Sequence, residues 1–252
     1  MCDQFSMRCR TLRIATVVRQ RGFTMIEIAV ALFVIALLVG SMLVPLTTQV
    51  EQRQVSEMEK TLAELRDLLV GFAVANGYLP CPDTDADGLE NVTAGTGQCT
   101  TIAGGIAAGR LPHSTLGLTN SDVWGNRLTY VINGQFARRS PAAPFSLTSG
   151  GTDVRICTTS ACAATLSTTA IAAVISHGKN GYGATNLASG AVNSCPPDGC
   201  SADEQDNFGT DADIVSRIRT GVGATAGEFD DIVVWLSRYA LFNRMIAAGK
   251  LP

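Results

Sequence analysis

Charge and aromatic rings are scarce in this chain: charged residues make up 16% and aromatic ones 6%, and histidine occurs only twice in 252 residues. A composition with 46% hydrophobic residues and so little charge excludes a disordered chain. His113 and His177 each read as a turn or surface residue, and His177-Gly178-Lys179-Asn180-Gly181 as a tight loop between strands. There is no H-E-x-x-H, no G-x-S-x-G and no phosphate loop ending in G-K-[ST]. With no catalytic constellation to build on, the expectation is a protein that is not an enzyme. Trp124 and Trp235, the two tryptophans, lie in strand-like contexts and read as core.

Positive charge is also missing from most of the chain. Residues 1–22 hold five arginines and one acid, Asp3, which leaves 14 basic against 21 acidic residues in the remainder. An acidic body excludes a general nucleic-acid surface. The basic leader precedes the one long apolar run, Phe23 to Val44, which holds a single ionisable group, Glu27. At 1.5 Å rise per residue that run is roughly 30 Å long, the thickness of a bilayer core. Arginines ahead of it predict a cytoplasmic amino terminus and a body carried across the membrane. Glu27 needs a reason, since a charge at a helix centre costs roughly 2.5–3.5 kcal/mol on insertion scales. A cleaved secretory signal would have a shorter apolar core, and Ala36, Gly40 and Ser41 make a poor cleavage site for it. A plain anchor explains the arginines and the length but neither Glu27 nor the Gly22-Phe23 step.

Arg21-Gly22-Phe23-Thr24-Met25-Ile26-Glu27 resembles the cleavage and methylation signal of the type IV pilin superfamily, which includes the pilins of type IV pili and the pseudopilins of type II secretion. That signal combines a basic leader ending in glycine, usually phenylalanine next, glutamate at the fifth mature position, and an apolar helix. Every element is present. The resemblance implies cleavage between Gly22 and Phe23 by a membrane-embedded prepilin peptidase, at a glycine whose backbone can be approached closely. It also implies N-methylation of the new Phe23 amine, which keeps its charge. In a filament Glu27 would meet the Phe23 amine of a neighbour, each neutralising the other and pinning the register of apolar helices. The implied partners are the peptidase, other pilin or pseudopilin subunits, an inner-membrane assembly platform and membrane lipid. The implied location is the inner membrane of a bacterium, with the body in the periplasm and the filament there or at the cell surface.

Beyond Pro45, which should kink the helix, Val55, Met58, Leu62, Leu65, Leu69 and Phe72 recur at helical spacing up to Asn76-Gly77, a plausible helix end. Strands are expected at Arg127–Asn133, Val154–Thr158, Ala170–Ser176 and Asp231–Leu236, and an amphipathic helix at Ser237 to Ala248. The fold class is α+β: a long N-terminal helix, transmembrane in its first half, packed on an antiparallel sheet as in pilins. The segments are a leader (1–22), a membrane helix (23–44), its amphipathic continuation (45–76) and a globular domain (77–252). Ala-Ala-Gly-Arg-Leu-Pro at 107–112 nearly recurs at 247–252, and both copies read as helix-ending turns. Asp122-Val123-Trp124-Gly125-Asn126 is similar to the D-P-W-G-N segment of the major pseudopilin of type II secretion, with valine for proline.

Of eight cysteines, Cys2 and Cys9 lie in the leader, and Cys81, Cys99, Cys157, Cys162, Cys195 and Cys200 lie beyond the span. An even number there points to disulfides in an oxidising compartment, paired in sequence order because two pairs are close and flanked by small or turn residues. A zinc site is disfavoured by the C-x4-C spacing and the lack of a nearby histidine. No cofactor is expected except calcium. Asp83, Asp85, Asp87 and Gly88 form the start of a calcium loop, but the closing glutamate is replaced by Ala94, leaving Glu90 as a substitute. The cluster of Asp203, Glu204, Asp206, Asp211 and Asp213 gains calcium ligands, Asp203 and Asp206 foremost, only through the likeness to the major pseudopilin, whose acidic loop binds calcium. The functional expectation is a structural filament subunit of minor or accessory type, with a binding module at a filament tip as the alternative and a membrane-anchored enzyme a distant third.

Overall fold

The computed structural model describes residues 22–100, 104–119, 121–197, 199–209 and 211–251, without the side chains of 41–47. The leader at 1–21, with its arginines, Cys2 and Cys9, lies outside the described residues. The chain divides into two compact units, 1–50 and 51–252. Helix α1 (Met25–Asn76) contributes to both and continues through Pro45.

In the first unit the large apolar side chains of α1 from Met25 to Val39 are all exposed. Among the described residues no helix is long and apolar enough to cross a membrane. The apolar run expected to do so includes 41–47.

In the second unit α1 is amphipathic. Val55, Met58, Leu62, Leu65, Leu69 and Ala73 are buried along one stripe. The stripe ends on Ala73, four residues past Leu69. Phe72 is instead half-buried and meets Tyr78 edge-on, ring centres 5.7 Å apart. Gly77, at φ +84°, ends the helix, its N–H donating to the Ala73 carbonyl at 2.8 Å.

The stripe packs on a six-stranded sheet made of β3 (Ile106–Arg110), β4 (Thr129–Asn133), β5 (Val154–Cys157), β6 (Thr165–Ser176), β7 (Asp213–Val215) and β8 (Ile232–Ser237). Strand order is β3-β4-β6-β5-β7, with β8 also on β6. Tyr130, Ile132, Val174 and Leu236 face α1, whereas Val131, Ala173 and Ile175 belong to a second cluster with Val154, Ile156 and Ile214. Burial of both faces explains why β4 and the end of β6 read as continuous apolar runs. Helix α4 (Arg238–Ala247) adds Leu241 and Met245 to the α1 side, and Phe242 stands near Phe136 and Phe145 there. Among the described residues there are also a ribbon of β1 (Val92–Thr93) and β2 (Gln98–Cys99), two short helices, α2 (His113–Leu116) and α3 (Ala202–Asp206), and a 3-10 turn at Gly134–Ala137. Disulfides join Cys81–Cys99, Cys157–Cys162 and Cys195–Cys200, with Cα separations of 5.4, 5.0 and 5.2 Å.

The α+β class and all four expected strands are present, with three corrections. The sheet is mixed: β5 and β7 run parallel, Ile156 opposite Ile214, because a long excursion through β6 and α3 separates them and allows a crossover. Residues 107–110 form a strand and not a helix end, because Ala107 pairs with Ile132 and is fully buried. Only the copy at 247–252 follows a helix. His177 is not a surface residue: it is fully buried just after β6, with Nε2 2.8 Å from Thr129 Oγ1.

Leu62→Ala should destabilise the body by about 2–5 kcal/mol, since it leaves a cavity between α1 and the sheet, while Phe72→Ala should cost distinctly less. Urea unfolding of the detergent-solubilised chain, followed by tryptophan fluorescence, measures both.

Candidate functional site

Among the described residues three places stand out for their chemistry, and the first is the amino-terminal step. Gly22, Phe23 and Thr24 are non-helical and exposed, and α1 starts at Met25. Thr24 caps it: the Glu27 N–H donates to Thr24 Oγ1 at 3.3 Å and to the Thr24 carbonyl at 3.1 Å. Glu27 thus sits in the first turn, where the helix dipole favours an acid. A Cβ on Gly22 would meet nothing within 4 Å, so the fold itself does not demand glycine there. The Gly22–Phe23 bond is exposed and outside the helix, where a protease can reach it. Every large apolar side chain from Phe23 to Val39 is exposed, the least at 46%. A monomer in water does not leave so continuous an apolar surface uncovered.

The second place is the Asp83–Asp87 loop. Asp83, Asp85 and Asp87 do converge, with one oxygen of each within 4.8 Å of the others. Yet Asp83 is fully buried and already served. Its Oδ1 accepts the N–H groups of Asp85 (3.1 Å) and Ala86 (2.6 Å), and its Oδ2 that of Gly88 (3.0 Å). Arg110 and Arg127 each stand 3.7 Å from it and supply counter-charge. Asp85 accepts from Asn91 Nδ2 at 3.0 Å, the main reason its carboxyl lies below the usual range. Glu90 does not join the loop: it pairs with Arg139 and accepts the Cys81 N–H at 3.1 Å. Nor do Asp203 and Asp206 act together. Asp203 bonds Arg217 Nε at 2.6 Å and the Ser160 N–H at 2.8 Å. Asp206 stands apart, pushed up to about 6 by burial and then by the charges of Asp211, Asp213 and Asp203.

The third place joins Glu204 of α3 with Asp230 and Asp231 at the head of β8, again with an oxygen of each within 4.8 Å of the others. Ser201 caps α3 by accepting the Glu204 N–H at 3.2 Å. Asn180, in the turn after β6, donates from Nδ2 to Glu204 Oε1 (2.8 Å) and from its backbone N–H to Asp230 Oδ2 (2.9 Å). Asn207 Nδ2 donates to Asp231 Oδ2 at 2.7 Å. Gly178 makes room, since a Cβ there would lie 2.5 Å from Asp230 Cγ. The second oxygens of all three acids are buried without a partner, as is Nδ1 of His177, which lies 3.7 Å from Asp231 Oδ1. Burial raises all three acids, Asp230 to about 6 and Asp231 well above the carboxylate range, and holds His177 down to about 4. At an effective dielectric of 20, two like charges at this spacing repel by about 3.5 kcal/mol. In sequence Glu204 belonged to the acidic run of 203–213, and nothing linked it to the doublet of acids opening an apolar strand.

Asp122 serves structure. Its Oδ1 accepts the Trp124 and Asn126 N–H groups at 2.9 and 2.8 Å, and its Oδ2 the Ser176 hydroxyl at 2.9 Å, stapling the turn before β4 to the end of β6.

Residues 18–43 match the family profile described as the prokaryotic N-terminal methylation motif, so the chain carries a type IV prepilin-like signal. Searches of curated proteins and of solved structures return no match.

Asp83→Asn should destabilise the body by about 2–3 kcal/mol whether or not calcium is present, because it strips Arg110 and Arg127 of their buried counter-charge. Thermal unfolding with calcium and with chelator measures it.

Proposed function

We propose that this chain is a structural subunit of a type IV pilus or type II secretion pseudopilus, of minor or accessory type. The observation that carries the reading is a methylation motif at the head of a helix whose large apolar side chains up to Val39 are all exposed. Prepilin peptidase cuts between Gly22 and Phe23 on the cytoplasmic side and the new amine is methylated. Residues 23–44 hold the subunit in the inner membrane until the assembly platform moves it into a filament. There the apolar side chains pack among those of other subunits, exchanging lipid for protein. Unit 51–252 stays outside the filament core, in the periplasm or at the cell surface. Its three disulfides suit an oxidising compartment.

Glu27 gives that packing its register. Apolar helices slide past one another at little cost, whereas a carboxylate among them demands a partner. The methylated amine of a neighbouring Phe23 is a charge of the right sign, carried at a fixed distance from the same helix start.

Mass spectrometry of the chain from membranes or sheared filaments should find N-methylated Phe23 as the first residue; an intact leader or a different cut would overturn the assignment. Gly22→Leu should abolish processing without lowering the stability of the body, given the open space at Gly22. Glu27→Ala should be cut and methylated normally yet be depleted from filaments. Normal incorporation of that variant, measured by immunoblot of the sheared fraction, would remove the register role.

A further inference from the structure

We propose that the outer edge of β8 takes up an extended segment of another polypeptide, which joins the sheet as a further strand beside the groove between α1 and α4. The proposal concerns unit 51–252 alone and stands independently of the filament reading.

Within the six-stranded sheet, β3, β7 and β8 each have a single neighbour. Such a strand presents a row of unpaired backbone groups, and proteins guard that edge against stray pairing. Two of the three edges are guarded here. At the end of β3, Arg110 exchanges both backbone hydrogen bonds with Asp83, at 2.8 and 2.9 Å. On β7, the Asn207 side chain takes both backbone groups of Val215, accepting its N–H at 2.7 Å and donating to its carbonyl at 3.0 Å. The edge of β8 is bare. Among the described residues, the backbone of 232–236 bonds to β6 and to nothing else. Its sequence, Ile-Val-Val-Trp-Leu-Ser, carries neither the charge nor the proline that would discourage pairing. In an antiparallel ladder bonding alternates along the strand, so about half of these residues turn their N–H and C=O outward.

A groove of about 840 Å³ adjoins that edge, bounded by Val70, Gly71 and Val74 of α1, Trp235 of β8, and Arg244 and Ala247 of α4. When a strand adds to a sheet edge, main-chain bonds supply affinity and side-chain contacts supply selectivity. Val70 and Val74 are half-buried and suit apolar side chains. Arg244 is exposed, and among the described residues its side chain has no hydrogen bond or ion pair. Arg66, the other cation of the groove, is already paired with Asp67. The segment that fits is therefore apolar where it crosses Val70 and Val74 and acidic where it reaches Arg244. A second copy of this chain is a poorer occupant. Its own β8 is flanked by the same two helices, and those walls would meet before the two edges could pair.

The test is fluorescence anisotropy of a labelled octapeptide, alternating valine and threonine and ending in two glutamates, titrated with the full-length chain in detergent. Saturable binding is expected. It should weaken at least tenfold when alternate backbone nitrogens of the peptide are methylated and can no longer donate. Gly71→Trp should weaken it at least tenfold too, because a Cβ at Gly71 meets nothing within 4 Å and the new ring fills the groove and not the core. Arg244→Glu should turn the preference towards a peptide ending in two lysines. Amide exchange across 232–236 should slow when the peptide binds the parent chain. Circular dichroism checks that each variant is folded, and Arg244→Glu, on an exposed side chain, serves if Gly71→Trp does not fold. Absence of saturable binding would overturn the proposal. So would equal binding of the methylated peptide, binding that survives Gly71→Trp, or an acid preference that Arg244→Glu leaves unchanged. A concentration-dependent dimer in sedimentation, lost in Gly71→Trp, would make a second copy the occupant and overturn it as well. None of these results would touch the cleavage at Gly22, which is read on a different part of the chain.

Discussion

Burial of one stripe of α1, from Val55 to Ala73, against the sheet is the contact on which the rest of the body depends. Each fully buried leucine in it contributes about 1.5–3 kcal/mol relative to exposure, and the face it covers carries Tyr130, Ile132, Val174 and Leu236, none of which has another layer to enter. The stripe also decides where the chain divides. Residues 51–76 are counted with the globular part because their apolar side is inside it. Along this one helix, the change from exposed apolar side chains up to Val39 to a single buried stripe from Val55 marks the transition.

Much of this was legible in the sequence, for reasons that differ by element. The stripe of α1 was visible as a three-and-four spacing over many turns, wrong only in its last member, where Phe72 lies one step off the buried line and Ala73 on it. Strands β4, β5, β6 and β8 announced themselves by β-branched runs between turns. Strands β3 and β7 did not. Ile-Ala-Ala-Gly-Arg carries little strand propensity and is held extended by pairing with β4, and Asp-Ile-Val is too short to show a period. Parallel pairing of β7 with β5 is a long-range choice that no local pattern records. His177 was hidden for a similar reason, since its burial comes from Thr129 and Phe208, both distant in sequence.

The acids show the limit most plainly. Three carboxylates at alternate positions before a glycine look like a cation loop, and in space they do converge. What the spacing could not show is that Arg110 and Arg127, in and just before the paired strands, supply the charge that a cation would have supplied. Glu204, Asp230 and Asp231 had the opposite fate. In sequence Glu204 goes with the acids of 203–213 and not with Asp230 and Asp231, and only the meeting of a short helix, a turn and a strand end makes the three one group. The amino-terminal motif needed no tertiary structure to be read, because a peptidase meets it as a linear segment.

The three disulfides have a consequence for load. A subunit drawn by its first helix would transmit tension from α1 into the segment directly after Gly77, and Cys81 lies there, bonded to Cys99 across 18 residues. At roughly 3.4 Å per extended residue, that bond withholds about 60 Å of contour from stretching. Pulling would therefore bypass the β1–β2 ribbon and bear on β3, whose five residues are paired along their whole length with β4. Strength against a drawn-out chain would thus begin in the backbone hydrogen bonds at the Ile106–Asn133 end of that ladder, where the pull enters.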